Sequence, residues 1–338
     1  MKQGRVITFG EVMMRLSPPG FAKFSQATNL ELAYGGGEAN VAMSLAYLGM
    51  QAAHVTRFPD NIIGRSATQF LRQHWLDTSW VLYGGELMGK YFLEKGAVHR
   101  SSQVVYERDG SAFAKIQSEM IDWKAVFKDA DWFHWTGITP AISEGALACC
   151  AEAIKTANEM GIMVSADIHS RKNLWNYGKT QQEVMPELVA GCDIVLASRQ
   201  DIAEIFGIDV EAEKDGKFQS AAQALMDKCP RVKKIFDKKR ETISASHNSI
   251  QGKVWNGKRY LKTDTLDVTH IVDRVGTGDA FAAGLIYGLL SYQDDFQALK
   301  FATAACALKH TVEGDVNMVS RENVVDLMEG NTSGKIIR

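Results

Sequence analysis

The sequence predicts an α/β protein with a mainly parallel central sheet flanked by helices and a small β-sheet lid at its edge. Three observations carry this reading. Short apolar, β-rich runs alternate with amphipathic helical stretches, as βαβ crossovers require. Two segments, 12–34 and 86–116, break that rhythm with short strands and turns. The composition is that of an ordinary globular chain, with 338 residues, 46% hydrophobic and 23% charged.

Residues 5–9 (RVITF) read as the first strand. Residues 39–48 have helical periodicity and stop before Gly49, a suitable C′ glycine. A second strand is expected at 52–56 and a second helix at 63–75. Further strands fall at 132–135, 162–166 and 194–197, with helices at 144–160 and 183–189. In the lid region, 90–94, 104–107 and 112–116 read as strands, with turn signals at Gly96 and Asp109-Gly110. No linker or internal repeat divides the chain. Residues 1–338 are therefore expected to form one domain, with the lid segments 12–34 and 86–116 inserted in it. In such sheets ligands sit outside the carboxyl ends of the strands.

The charge balance excludes some classes of partner. Thirty-eight Lys and Arg face 40 Asp and Glu, a net charge of −2. Neither nucleic acid nor a membrane surface is expected as a partner, so any bound anion needs a local site. The five cysteines show no metal spacing, and their odd number argues against a disulfide framework. The N-terminus carries no apolar h-region, and no stretch of 18 uncharged apolar residues occurs. A reducing cytoplasmic location is expected. The basic run from Lys233 to Arg240 reads as a solvated face.

The sharpest chemical signal is Asp273-Arg274-Val275-Gly276-Thr277-Gly278-Asp279, followed by the apolar helix AFAAGLIYGLL. Glycines at a helix start let backbone N–H groups converge on an anion, and the helix dipole adds positive charge there. An Asp in that first turn would repel a phosphate. It makes sense as a base taking a proton from a hydroxyl that attacks the phosphate. The plain alternative is an acidic residue complementing the dipole. A second signal is Tyr34-Gly35-Gly36-Gly37-Glu38-Ala39-Asn40, which also opens a helix. It fits neither GxxxxGK[ST] nor GxGxxG.

Together, and in this order along nearly the whole chain, these motifs resemble the PfkB (ribokinase-like) family of sugar kinases. Phe9-Gly10-Glu11, Gly64 and Asp167-x-x-x-Arg171 add to the likeness. The resemblance implies a ribokinase-like, Rossmann-type three-layer core with a β lid. It also implies an ATP phosphate site at the backbone of Gly276, Thr277 and Gly278, a base at Asp279, and Mg²⁺ accompanying ATP. Gly36, Gly37 and Asn40 match positions that hold the sugar.

Within the family the most similar segments are those of 2-keto-3-deoxygluconate (KDG) kinases, among them GEVMMRLSPPG, VVYERDGSA and RKNLWNYGK. By that likeness Tyr91, Tyr106, Arg108 and Arg171 are expected at an acidic sugar, since Arg pairs carboxylates bidentately. A neutral sugar such as fructose, or a ligand-binding relative without activity, remains the alternative. His169, Ser244 and Asn248 are expected near ATP, and Asp201 near the metal. Two positions depart from the family pattern. Ser198 and Asp201 stand where relatives have Asn and Glu, and His169 stands where they have Asn. Lid sheets in this family commonly pair across dimers, so a homo-oligomer is expected.

Overall fold

The computed structural model describes residues 4–210 and 216–331. Fourteen strands are found among them. They are β1 (Arg5–Phe9), β2 (Met13–Ser17), β3 (Glu31–Gly35), β4 (Gln51–Phe58), β5 (Val81–Tyr83), β6 (Lys90–Glu94), β7 (Gln103–Glu107), β8 (Trp132–Thr136), β9 (Met163–Asp167), β10 (Ile194–Leu196), β11 (Lys234–Ser244), β12 (His247–Trp255), β13 (Tyr260–Lys262) and β14 (Leu266–Val268). The helices are α1 (Gly37–Tyr47), α2 (Ile62–Gln73), α3 (Trp123–Val126), α4 (Thr139–Ile142), α5 (Glu144–Glu159), α6 (Gln181–Ala190), α7 (Arg199–Phe206), α8 (Lys217–Lys228), α9 (Thr277–Tyr292), α10 (Asp295–Lys309) and α11 (Arg321–Met328).

The large sheet runs β13-β12-β11-β10-β9-β8-β1-β4-β5, with β14 also paired to β12. Every pairing from β11 across to β5 is parallel, and β12 begins an antiparallel edge. Side chains of successive strand residues alternate between two cores. Ile7, Phe133, Val195 and Ile235 pack with α5, α6, α7 and α8. Val6, Trp132, Ile194 and Phe236 pack with α1, α9, α10 and α11. The result is three layers, helix–sheet–helix, as the strand–helix alternation required.

The second sheet runs β3-β2-β6-β7 and draws on both segments that broke the rhythm. One expected strand is absent. Residues 112–116 form turns rather than a strand. Phe113 and Ile116 are apolar because they plug the main core, and with Ala112 each is at most 1% exposed. The turn at Gly110 takes the left-handed φ of +68° that the Asp-Gly pair suggested.

Candidate active site

Two helix N-termini meet at the carboxyl ends of the central strands. Gly276 precedes α9 with φ +77°, and a Cβ there would lie 1.9 Å from the Asp315 carbonyl. Only glycine fits that turn. Gly36 precedes α1, and a Cβ on it would lie 2.0 Å from the Glu11 carbonyl. Gly37, by contrast, leaves ordinary contact distance to Thr136, Ile138 and Asp279, so its surface is open to a ligand.

Asp279 lies in the first turn of α9, and its Oδ2 accepts a 2.7 Å hydrogen bond from Asn40 Nδ2. Asn40 Oδ1 in turn accepts from the Gly36 N–H at 3.3 Å. Asn40 therefore orients the carboxylate across the two motifs, a role its sequence position alone did not reveal. Burial pushes the Asp279 pKa up to about 6, opposed by the Asn40 hydrogen bond and raised further by Asp167. A carboxylate tuned toward neutrality suits a general base.

The basic run contributes what the sequence reading missed. Lys238, on β11, is half-buried, with its ammonium 2.8 Å from where a Cβ on Gly278 would be. It is thus the cation at the α9 turn rather than part of a solvated face. A mid-strand Lys in an otherwise exposed polar run gives no local signal, because its partner lies across the sheet edge. Two buried acids were also missed. Glu38 accepts from the Thr136 N–H and from the hydroxyls of Thr136 and Thr139 at 3.1, 2.7 and 2.6 Å. Burial raises its pKa to about 7. Glu11 accepts from Ser111 Oγ at 2.6 Å and lies 3.6 Å from Arg108 Nε, with burial raising its pKa. A Glu amid the first glycines of a helix was the available hint for Glu38.

Arg108 stands on the lid side of a cavity of about 650 Å³ that Tyr106, Arg171, His169 and Asp201 also line. Its guanidinium sits 5.2 Å over the Tyr106 ring, and Nη2 donates to Met13 Sδ at 3.1 Å. Its Nε and Nη1 are buried without a hydrogen-bond partner. Such donors cost stability unless something accepts from them. Arg171 is exposed and donates only to the neighbouring Ser170 carbonyl, at 3.3 Å. Ile138 lines this cavity, and both Ile138 and Asp279 lie within 4 Å of where a Cβ on Gly37 would be.

Other expected residues are already engaged. Tyr91 is 4% exposed, its ring lies 5.7 Å from that of Tyr106, and its hydroxyl donates to Asp315. Asn248 is fully buried between Arg274 and His310, 3.2 Å from each, so it braces the loop before α9 from behind. Ser244 Oγ accepts from the Ser246 N–H, and its carbonyl accepts from Arg274. His169 bonds Asp167 through Nδ1, and its Nε2 lies 4.0 Å from Asp201 Oδ2. Asp167 raises the His169 pKa against burial, while His169 and Lys238 hold Asp167 well below the usual carboxylate range despite its burial. Asp201 forms a capping box with Ser198 on α7, and its Oδ1 accepts from the Ser170 N–H at 2.9 Å.

This arrangement sets a carboxylate base beside two glycine-rich helix starts, a cation and an arginine-lined cavity, and it fits phosphoryl transfer to a polar molecule. Residues 3–322 match the pfkB family carbohydrate kinase domain. The chain belongs to the PfkB family of carbohydrate kinases. Among solved structures, the 2-dehydro-3-deoxygluconokinase of Thermotoga maritima superposes on this kinase with a TM-score of 0.92. It is 38% identical, over 97% of this chain and 99% of that one. A PfkB family carbohydrate kinase from Listeria grayi gives a TM-score of 0.90 at 35% identity, covering 96% and 99%. A 2-dehydro-3-deoxygalactonokinase of Haloferax volcanii is 30% identical over 97% of this chain and 98% of its own. As a PfkB kinase the protein transfers a phosphoryl group. Among the described residues, no helix is long and apolar enough to cross a membrane.

Proposed function

We propose that this kinase phosphorylates the primary hydroxyl of 2-keto-3-deoxygluconate with ATP, giving the 6-phosphate. The observation that carries the reading is Arg108. Its guanidinium lines the cavity with Nη1 hydrogen-bonded to nothing and Nε only 3.6 Å from Glu11, and a substrate carboxylate would bring a charged acceptor to it. The relatives named for 2-keto-3-deoxy sugar acids support it. A neutral sugar would offer hydroxyl acceptors but no counter-charge for the guanidinium.

In this reading Gly36, Gly37, Tyr106, Arg108 and Arg171 hold the sugar acid, and Asn40 holds Asp279. Asp279 accepts the proton of the attacking hydroxyl. The backbone N–H groups of Gly276, Thr277 and Gly278 receive the phosphates, with Lys238 adding charge where it builds up. His169 and Ser244 flank the nucleotide side. Tyr91 and Asn248 act from behind, through the groups they hold. The small sheet closes over the sugar and excludes water.

Magnesium enters with the nucleotide. Among the described residues no cluster of three or more His, Cys or acidic side chains could hold a metal. The ion would be held mainly by the nucleotide phosphates and water. Bound there, it neutralises charge on the transferring group. Asp201 keeps lone pairs free beyond its capping bonds and can accept from a metal-bound water. We read residues 1–338 as one kinase domain working in the cytoplasm. The open lid face, with Leu32 and Val105 each at least half exposed, supports a homo-oligomer. A coupled ADP-release assay over a panel of sugar acids and neutral sugars tests the substrate. Preference for a neutral sugar over KDG would overturn it.

A further inference from the structure

Behind the α9 turn lies a buried charge cluster that the chemistry above does not use. Arg15, on lid strand β2, is 2% exposed. Its Nη1 bonds Asp315 Oδ1 at 2.5 Å, and its Nη2 bonds Asp273 Oδ2 at 2.6 Å. Both residues shape the proposed phosphate turn, Asp273 through its carboxylate and Asp315 through its backbone carbonyl. Asp273 Oδ1 accepts from the Val275 N–H at 3.0 Å, and Asp273 Oδ2 accepts from the Gly314 N–H at 3.3 Å. The Asp315 carbonyl is the atom that fills the space beside Gly276, and its carboxylate crowds Gly35.

Two further lid side chains reach the same loop. Tyr91, on β6, donates to Asp315, and Lys95 pairs with Glu313. The core supplies a cation of its own. Lys309 is fully buried, donates to the Val312 carbonyl at 2.9 Å, and is drawn toward Asp273 and Asp315 although burial lowers its pKa. Two buried carboxylates thus face two buried cations, and one of those cations belongs to the lid. Without Arg15 the cluster carries a net negative charge directly behind a site that must accept phosphates. In a poorly solvated interior that repulsion is weakly screened.

We propose that Arg15 is a positioning residue that couples the sugar-binding lid to the phosphate turn. It locks β2 to the loop under Gly276 and neutralises Asp273 and Asp315. Tyr106 stands on β7 and Arg108 directly follows it, and β7 pairs with β6, which pairs with β2. A sugar acid held by β7 therefore pulls on the same sheet that fixes Gly276. Sugar binding and nucleotide binding strengthen each other through this lock, by the same factor in either direction. The inference rests on the kinase reading of the site.

The test is a binding cycle on the intact kinase. The affinity of adenylyl imidodiphosphate is measured with and without KDG, or with whichever panel sugar the wild type phosphorylates. The proteins are wild type, Arg15→Met, Arg15→Lys and Tyr91→Phe, each first checked for folding by its thermal midpoint. In the wild type the sugar tightens nucleotide binding. In Arg15→Met the ratio falls to about one, and kcat drops by about 10²-fold, as a displaced phosphate turn implies. Arg15→Lys recovers part of both. If Arg15→Met does not fold, Arg15→Lys and Tyr91→Phe carry the test, each with a reduced ratio. A wild-type ratio of one overturns the proposal, as do folded variants that keep the wild-type ratio and lose only thermal stability. Inactivity on KDG with turnover of another sugar refutes the substrate reading alone.

Discussion

Asp279→Asn should abolish turnover and at the same time stabilise the apo protein. The structure gives the size of both effects. The carboxylate is the proposed base, and losing it should lower kcat by roughly 10²–10⁴-fold. The stabilisation follows from its pKa. Burial raises the folded-state value from 3.8 to about 6. A carboxyl raised in this way costs nothing below its unfolded pKa, where both states hold the proton. The cost grows as pH rises through the folded pKa and is complete above it. Two pK units correspond to about 3 kcal/mol, and about 1–3 kcal/mol remains once the cavity-facing side is allowed for. Asn keeps an oxygen for the Asn40 donor and carries no charge. At about 2.1 cal/mol/K per residue, the 338-residue chain should gain about 1–4 °C in Tm at pH 8. The gain should fade as pH drops below 6 and vanish near pH 4. Calorimetry of wild type and variant across that range, with ADP release measured in parallel, checks both halves. Turnover within a few-fold of wild type would refute the assignment of the base. An unchanged or lower Tm at pH 8 would refute the account of its tuning.

Wild-type kcat/KM should decline as pH falls through about 6, because the proposed base must be ionised in the free enzyme, and Asp279→Asn should lack that limb in whatever residual rate it keeps; a pH profile of kcat/KM reads this directly. Arg108→Ala should raise KM for the sugar acid by about 10–100-fold, the cost of a charge-assisted hydrogen bond, and leave KM for ATP nearly unchanged; steady-state kinetics with each substrate varied separates the two. Gly276→Ala should lose nucleotide binding, since its Cβ meets a backbone carbonyl at a positive φ, whereas Gly278→Ala displaces only the mobile end of Lys238 and should bind with modest loss; titration calorimetry with adenylyl imidodiphosphate distinguishes them. The Ser198→Asn, Asp201→Glu pair keeps a capping box on α7 and lengthens the carboxylate, so it should lower the Mg²⁺ concentration needed for half-maximal rate; a metal titration shows it.

The central strands were legible in the sequence because β-branched and aromatic runs such as RVITF have nowhere to go but a buried sheet. The glycine motifs were legible because their spacing serves backbone donors. What escaped notice depends on distance along the chain. Asn40 and Asp279 are far apart in sequence, and no local pattern says that one amide orients the other carboxylate. Residues 112–116 look like a strand because core plugs and strands share an apolar composition. Lys238 looked solvated because the antiparallel edge formed by β11 and β12 turns one side of a polar run toward α9. The Arg15 cluster needs β2, the loop before α9 and the loop after α10 in one place, and only the fold brings them together.

The five cysteines give the protein a set of internal clocks. All are free and buried, and burial pushes their thiols up, Cys306 to about 11. Thiolate is the reactive form, so a folded molecule should ignore a disulfide reagent such as dithionitrobenzoate on both counts. Cys149, Cys150, Cys192 and Cys229 lie in the core on the α5–α8 side of the sheet, and Cys306 in the core on the α9–α10 side. Each labelling event therefore timestamps the opening of one identifiable layer. Mass spectrometry of partly labelled molecules would show whether the two layers come apart together or in sequence, with no probe engineered into the chain.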